Sequence, residues 1–228
     1  MTISRPGFGL SLIPGIDSLS SPRTMSDHRA DFPPSVAMSQ PSVSGESYTL
    51  EQAIANLQGN DLGLRVYSAW WLGRFRISDP AVVDLLIVAL QDEDDRTAAG
   101  GYPLRRNAAR ALGKLGDRRA VQPLVEALKC SDFYVREAAA QALATLGDSS
   151  CAPRLIQLLE QHETEEFSES ASTDTAGTQQ PYDSILEALG QLRAKESIPI
   201  VKRFLDHEVE RVRYAAIRAM YQLTDDTD

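Results

Sequence analysis

The chain has 228 residues, of which 43% are hydrophobic and 24% are charged, values typical of one globular domain with tails. It has no apolar run of about 18 residues, and its N-terminus lacks the basic and apolar segments of a secretory signal, so neither a membrane span nor secretion is expected. Most of the net charge of −9 comes from residues 160–180 and the C-terminal aspartates. The rest is near neutral without a basic stripe, so we do not expect nucleic acid as a partner.

Residues 1–47 form a tail that contains eleven Ser and six Pro without any sustained apolar periodicity. Such a segment cannot bury enough apolar area to offset the entropy that ordering would cost. We therefore predict that this tail is disordered and that the folded part of the chain begins near Tyr48.

From Tyr48 onward the chain is self-similar, with a repeating unit of 31 residues. Copies of the unit begin at Leu64, Leu104, Val135, Pro181 and Val212, and the last copy contains only its first half. The intervals of 40 and 46 residues between some starts are the same unit with insertions, one at about 91–103 and one at about 162–180. The second insertion is acidic and rich in Ser and Thr, so we predict a mobile surface loop there.

Each unit shows apolar residues at helical spacing on both sides of a short turn, such as Gly116-Asp117 or Gly147-Asp148. The pattern predicts a helix–turn–helix pair whose apolar face is covered by its neighbours. Ahead of the first unit, Thr49 and Gln52 predict a capping-box start for a helix that matches the second helix of a unit. The predicted fold class is all-α: residues 48–228 form a short α-solenoid of about five HEAT-like helix pairs.

The first insertion and its flanks resemble a known family. The run DEDDRTAAGGYPLRRNAARALGKLGDRRAV from Asp92 is similar to the signature region of phycocyanobilin lyase alpha subunits, the E-type partners of E/F heterodimeric bilin lyases. YSAWWLGRFRISDP from Tyr67, KCSDFYVREAAAQAL from Lys129 and RAMYQLT from Arg218 resemble the same family. The resemblance covers essentially residues 48–224. Its most specific element is Asp-Asp-Arg-Thr followed by Gly-Gly-Tyr-Pro-Leu-Arg-Arg.

The resemblance implies an enzyme of the carbon–sulfur lyase class. An E-type subunit forms a heterodimer with an F-type subunit and binds a linear tetrapyrrole, usually phycocyanobilin. The pair then promotes thioether formation with a cysteine of a phycobiliprotein alpha subunit, here expected to be that of phycocyanin. The bilin is the substrate, no cofactor is expected, and the expected location is the cytoplasm of a cyanobacterial-type cell, which fits a chain with two cysteines.

Two alternatives to this function stay open at the level of sequence. The chain could be a subunit of a related phycoerythrobilin lyase or of a lyase-isomerase, because the isomerising function is expected to reside largely in the partner subunit. It could also be a non-catalytic HEAT-like adaptor in phycobilisome assembly or degradation, although the specific first insertion argues against an adaptor.

A bilin presents two propionates, several pyrrole N–H groups and a conjugated backbone, so its site needs cations, a carboxylate and aromatic faces. The first insertion supplies such groups. We predict Asp95, with Asp94 beside it, as the acid that protonates the tetrapyrrole while the thiol adds, and Arg106, Arg96 and Tyr102 as binding residues. The alternative for the two aspartates is that they cap a helix or solvate a turn.

Alignment of the repeats separates structural residues from candidate ligands. Arg105 aligns with Arg65, Arg136 and Arg213, which predicts a structural ladder between adjacent repeats. Arg106 has no such counterparts and is therefore the better candidate ligand. We expect Arg106, Asp95 and Trp70 to face a common cleft.

The first repeat is unusually aromatic. Trp71 aligns with Ala111 and Ala142, which predicts a packing role for Trp71. Tyr67 and Trp70 lie three residues apart on one helical face, and we predict that they form an exposed contact surface for bilin or partner. The alternative is that residues 50–58 or the tail cover them.

The final helix carries an ordinary apolar face, and the chain has no second helix to complete its fifth unit. We expect this face to be partly exposed in the isolated subunit and covered by the F-type partner. Its residues are Val212, Ala215, Ala216, Ala219, Met220 and Leu223.

The remaining reactive side chains give no sign of a metal or nucleophilic site. The three histidines, at positions 28, 162 and 207, show no metal-ligand spacing, so no metal is predicted. Cys130 lies at a repeat boundary and Cys151 in a packed turn, where cysteines usually act as small hydrophobic residues.

Overall fold

The structure, a computed structural model, describes residues 48–98, 100–161 and 180–225. The predicted disordered tail and nearly all of the predicted acidic loop lie outside the described residues. Within these three ranges every regular element is helical, which confirms the predicted all-α class. The α-helices are α1 (Leu50–Leu57), α2 (Leu62–Phe75), α3 (Pro80–Ala89), α4 (Pro103–Leu115), α5 (Val121–Ala127), α6 (Phe133–Leu146), α7 (Ala152–Glu160), α8 (Tyr182–Gln191), α9 (Ile198–Arg203) and α10 (Glu210–Thr224).

The ends of the helices follow from local sequence. Thr49 and Gln52 form the predicted capping box at the start of α1. The side chain of Asp61 accepts a hydrogen bond from the backbone N–H of Leu64 and caps α2. At the other end, Gly116 and Gly147 adopt positive φ angles of 77° and 68° and terminate α4 and α6, because glycine enters the left-handed region without steric cost.

The helices pair as the repeats predict. The first helices of the units (α2, α4, α6, α8 and α10) pack against one another in chain order. Each second helix packs against the first helix of the following unit, so that α3 contacts α4 and α5 contacts α6. Helix α1 packs on α2 and α3, in the place of a second helix of a preceding unit. The apolar faces thus form one continuous core along the stack.

Successive first helices approach closely through glycine and alanine. A Cβ atom added at Gly73 would lie 2.8 Å from the Cα of Ala111, and one added at Gly113 would lie 2.8 Å from the Cα of Ala142. Gly190 has the same relation to Ala219, at 2.9 Å. These residues occupy equivalent repeat positions, so a recurrent glycine–alanine contact sets the spacing between first helices.

The expected exposed face of the final helix is wrong in its residues. Because this side of α10 packs against α8 and α9, Met220 is only partly buried and the other five residues are buried, namely Val212, Ala215, Ala216, Ala219 and Leu223. The exposed apolar side chains of α10 are Tyr214, Ile217 and Tyr221. Among the described residues, no helix combines the length and apolar character needed to cross a bilayer.

Candidate functional site

A ladder of arginines connects four of the five first helices, α2, α4, α6 and α10, to neighbouring loops, whereas α8 has Tyr182 at the equivalent position. Arg105 donates from Nε to the carbonyl oxygen of Asp92 at 2.6 Å. Arg136 donates to the carbonyl oxygens of Cys130 and Ser131 at 2.7 and 2.9 Å. The equivalent Arg65 pairs with the Asp92 carboxylate, and Arg213 bonds the carbonyl oxygens of His207 and Glu208. The predicted structural role of Arg105 is therefore confirmed.

The first insertion is an ordered turn fastened to the helices on either side. Thr97 and Gly101 exchange hydrogen bonds across the turn, and Gly100 has a positive φ of 89°. The backbone N–H of Tyr102 donates to the carboxylate of Asp132 at 2.9 Å, and the other oxygen of Asp132 accepts from Tyr134 at the start of α6. The insertion therefore links α4 to the next repeat.

Asp95 is the buried anchor of this insertion. Its residue has no exposed surface, and its two carboxylate oxygens accept the backbone N–H groups of Leu104 and Arg105 at 2.9 and 2.7 Å. The capping alternative is thus confirmed for Asp95, which satisfies two of the N–H groups at the start of α4. Burial raises the pKa of Asp95 to about 6, although these two hydrogen bonds oppose the rise.

The predicted common cleft does not include Asp95. A carboxylate without exposed surface does not line an open cleft, so the structure separates Asp95 from Arg106 and Trp70. Its assignment as an acid therefore has no support from geometry.

The other predicted residues of the insertion occupy different surroundings. Asp94 and Arg96 are exposed to solvent. Tyr102 is partly buried, and the Cζ of Arg105 lies 4.4 Å from the centroid of its ring. This cation–π contact attaches Tyr102 to the arginine ladder and occupies one face of the aromatic ring.

Arg106 belongs to a second surface, which we call the first-helix face. It consists of the third and seventh positions of the repeats, which lie one turn apart on the first helices. Its residues are Val66 and Trp70 on α2, Arg106 and Arg110 on α4, Glu137 and Gln141 on α6, Asp183 and Glu187 on α8, and Tyr214 and Arg218 on α10. Because these helices pack in chain order, the face runs along the solenoid.

Charges on the first-helix face are ordered by helix. Helix α4 presents two arginines, α6 and α8 present carboxylates, and α10 presents Arg218, with Arg211 nearby at the start of the same helix. Arg211 pairs with Asp183 at 3.3 Å and Arg218 with Glu187 at 3.1 Å. The Cζ of Arg106 lies 5.8 Å from the ring centroid of Tyr134 on α6. The cationic part of the face is therefore the segment on α4, between the aromatic α2 and the acidic α6.

The aromatic residues of α2 are more enclosed than predicted. Tyr67 lies at a repeat position that is buried in the other units, and its ring packs against Tyr48 and Trp70 at 5.1 and 5.7 Å between centroids. Tyr67 is partly buried, as is Trp70, so the pair is less exposed than predicted, because Tyr48, just before α1, covers part of Tyr67. Trp71 packs on the core and on Tyr48, as predicted, while Trp70 is partly buried at the edge of the cluster.

Two residues of this face, Arg110 and Glu137, were not among the predicted site residues. The repeat alignment contains the signal for both, because Arg110 aligns with Trp70 and Glu137 aligns with Arg106. Neither residue lies in or directly beside the first insertion, which is the most specific segment of the sequence and supplied most of the predicted site residues.

The two cysteines lie in different surroundings, Cys151 buried and Cys130 partly exposed. Cys151 is 2% exposed, and burial raises the pKa of its thiol to about 11. The sulfur of Cys130 lies 3.9 Å from Arg105 of the structural ladder. In the described ranges, no group of three or more His, Cys, Asp or Glu side chains is arranged to hold a metal ion.

Comparison with known proteins gives consistent matches along the chain. A family model for the PBS lyase HEAT-like repeat matches residues 64–92, and one for HEAT repeats matches residues 101–172. Over 179 residues the chain is 63% identical to phycocyanobilin lyase subunit alpha of Microchaete diplosiphon, which covers 78% of this chain and 60% of that protein. It is 52% identical over 191 residues to phycocyanobilin lyase subunit alpha of a Synechocystis species, covering 83% of this chain and 68% of that protein.

A solved structure matches as well. One chain in the complex of CpcE and CpcF of phycocyanin lyase from a Nostoc species is 54% identical and superposes with a TM-score of 0.70. The match covers 84% of this chain and 70% of that one. The chain thus spans 60% of the length of the Microchaete relative and about two thirds of the Synechocystis one.

Proposed function

The chain belongs to the phycocyanobilin lyase alpha-subunit family, and on that premise we propose that it acts as the E-type subunit of a heterodimeric bilin lyase. The substrate is a linear tetrapyrrole, phycocyanobilin in the first instance, and the acceptor is a cysteine of the phycocyanin alpha subunit. The partner is an F-type subunit, a pairing supported by the solved complex of CpcE and CpcF. We place the reaction in the cytoplasm.

The observation that carries this proposal is the cationic segment of the first-helix face. Arg106 and Arg110 lie one turn apart on α4, next to the partly buried Trp70 on α2. Two guanidinium groups suit the two propionates of a bilin, and an indole offers a face for a conjugated ring. Tyr67 packs against the indole of Trp70 within the aromatic cluster. Arg96 in the first insertion and Tyr102 at the start of α4 remain proposed contacts for bilin or acceptor.

The reaction is an addition without redox change. The sulfur of the acceptor thiol bonds to the ethylidene carbon, the C=C double bond is lost, and the proton released by the thiol is balanced by protonation of the neighbouring ring carbon. The lyase contributes mainly by holding bilin and thiol together in a reactive orientation, away from water. In this scheme Asp95 positions α4 and its arginines through its two capping bonds, and the exposed Asp94 lies outside the binding surface.

The test is co-expression of the chain with an F-type subunit, a source of phycocyanobilin and a phycocyanin alpha subunit. We expect acceptor that carries bilin after denaturation, and we expect Arg106→Ala to reduce its yield at least tenfold, since a bidentate guanidinium–carboxylate pair is lost. Lys114→Ala is the matched control, because it removes an exposed cation from the same helix α4 but outside the first-helix face. Absence of covalent bilin above the level without the chain would refute the proposal.

The same experiment separates the alternatives. With phycoerythrobilin or other acceptors included, the absorbance and fluorescence of the product report which bilin is attached and whether it has been isomerised. Binding to phycobiliprotein without any covalent product would instead indicate an adaptor.

A further inference from the structure

Glu137 is an ionisable residue of the first-helix face that has no role in the addition reaction as described above. It lies on α6 at the repeat position of Arg106, and it is only partly exposed. Tyr134, one turn earlier on α6, has its ring 5.8 Å from the guanidinium carbon of Arg106. The close packing of Gly113 on Ala142 brings α4 and α6 together, so Glu137 borders the cationic segment directly.

Charges of both signs surround this carboxylate. Arg106 and Arg110 face it from α4, Asp183 from α8 and Arg211 from α10. Burial and then Asp183 raise the pKa of Glu137, while the three arginines oppose the rise. A carboxylate in these surroundings can accept hydrogen bonds when it is charged, and its raised pKa makes it easier to protonate than an ordinary glutamate. Asp183 and Glu187, by contrast, are paired with arginines of α10.

We propose that Glu137 binds the pyrrole N–H groups of the bilin whose propionates are held by Arg106 and Arg110. The inference rests on the function proposed above and deepens it, since it names the group that contacts the nitrogens. Packed helices lie about 8–10 Å apart, so the long side chains of α4 and α6 can contact the same tetrapyrrole. A bilin lying across α4 and α6 can therefore reach both sets of groups.

The contact has a chemical consequence. A carboxylate beside the pyrrole nitrogens stabilises the protonated, cationic tetrapyrrole by a charge-assisted hydrogen bond. The positive charge is delocalised along the conjugated backbone and draws electrons from the ethylidene group that the thiol attacks. Glu137 thus takes the role that the sequence had suggested for Asp95, from a position that a substrate can reach.

The test uses phycocyanobilin added to the full chain together with its F-type partner, and follows absorbance against pH. We expect the wild-type complex to show the long-wavelength band of a protonated bilin and to keep it to higher pH than free bilin does. Glu137→Gln should lose the band while its Kd changes less than about threefold, because the arginines remain. Glu137→Asp should restore the band in part. Arg106→Ala should instead weaken binding at least tenfold.

The matched control is Glu187→Gln, which removes an acidic residue from the same face but leaves Glu137 in place. Its spectrum and Kd should match those of the wild type. A Glu137→Gln complex with the wild-type spectrum and pH profile would overturn the assignment of Glu137 while leaving the lyase function intact. Failure of the wild-type pair to bind phycocyanobilin would overturn both.

Discussion

Arg105 and Arg106 are neighbours in the sequence, yet they serve different regions of the molecule. Arg105 points to the loop side of the solenoid, where it bonds a carbonyl oxygen and covers the ring of Tyr102. Arg106 lies on the first-helix face and approaches Tyr134 of the next repeat. The loop side is built of buried and partly buried charges that bond mainly backbone groups, and four of the five repeats contain its arginine. The face is built of partly exposed charges that differ from repeat to repeat. The two regions lie on different sides of the same helices, and we propose that the face serves recognition while the loop side serves stability.

The largest difference between the two regions is expected for the neighbouring arginines themselves. Arg105→Ala should lower the free energy of unfolding by about 3 kcal/mol, because it removes a charged hydrogen bond and a cation–π contact. Arg106→Ala should lower it by less than about 1 kcal/mol, as expected for a charge at the protein surface. Urea denaturation of both variants measures this. Equal losses of unfolding free energy would mean that the two regions do not differ in their contribution to stability.

The loop side should also show an unusual dependence on pH through Asp95. Its pKa of about 6 in the folded protein lies above the ordinary value of 3.8, so the folded state binds the proton more tightly. The stability from this group is therefore full below about pH 4 and lost as the pH rises through 6. Relative to Asp95→Asn, we expect the wild type to lose about 2 kcal/mol between pH 4 and 7.5. A difference that does not vary with pH would show that burial leaves this pKa unchanged.

A smaller effect should distinguish two capping aspartates at the same repeat position. Asp61 caps only α2, whereas Asp132 caps α6 and also accepts the N–H of Tyr102 from the insertion. We expect Asp61→Ala to cost about 1 kcal/mol and Asp132→Ala about 2 kcal/mol, the excess being the bond to the insertion. Thermal unfolding of both variants provides the comparison. Identical losses would indicate that the insertion does not depend on Asp132.

The smallest effect is expected for the paired charges at the far end of the face. Arg218 and Glu187 are both substantially exposed and lie 3.1 Å apart. Replacing either by a neutral residue should change the free energy of unfolding by less than about 0.5 kcal/mol, because solvent screens such pairs. A double-mutant cycle with Arg218→Ala and Glu187→Gln measures their coupling. A coupling energy above about 1 kcal/mol would mean that this pair contributes to stability, as the residues of the loop side do.

The fold could be predicted from the sequence because it depends on periodic patterns and on local contacts within the chain. The 31-residue repeat, the glycines at the ends of α4 and α6 and the capping box at Thr49 each depend on residues close in the chain. The ladder role of Arg105 could also be predicted, since a residue repeated at one register position performs the same contact in each copy.

The surroundings of Asp95, Tyr67 and Glu137 could be determined only from the tertiary structure. The sequence shows Asp95 as one of several charges in an insertion, but the turn of the chain places it beneath the N-terminus of α4. The repeat pattern predicted an exposed Tyr67, but the ring of Tyr48, from outside the repeat, packs against it. Glu137 owes its electrostatic surroundings to arginines on two other helices and to Asp183 on a third. Burial and charge balance are sums over neighbours distant in the sequence, and no spacing within one segment encodes them.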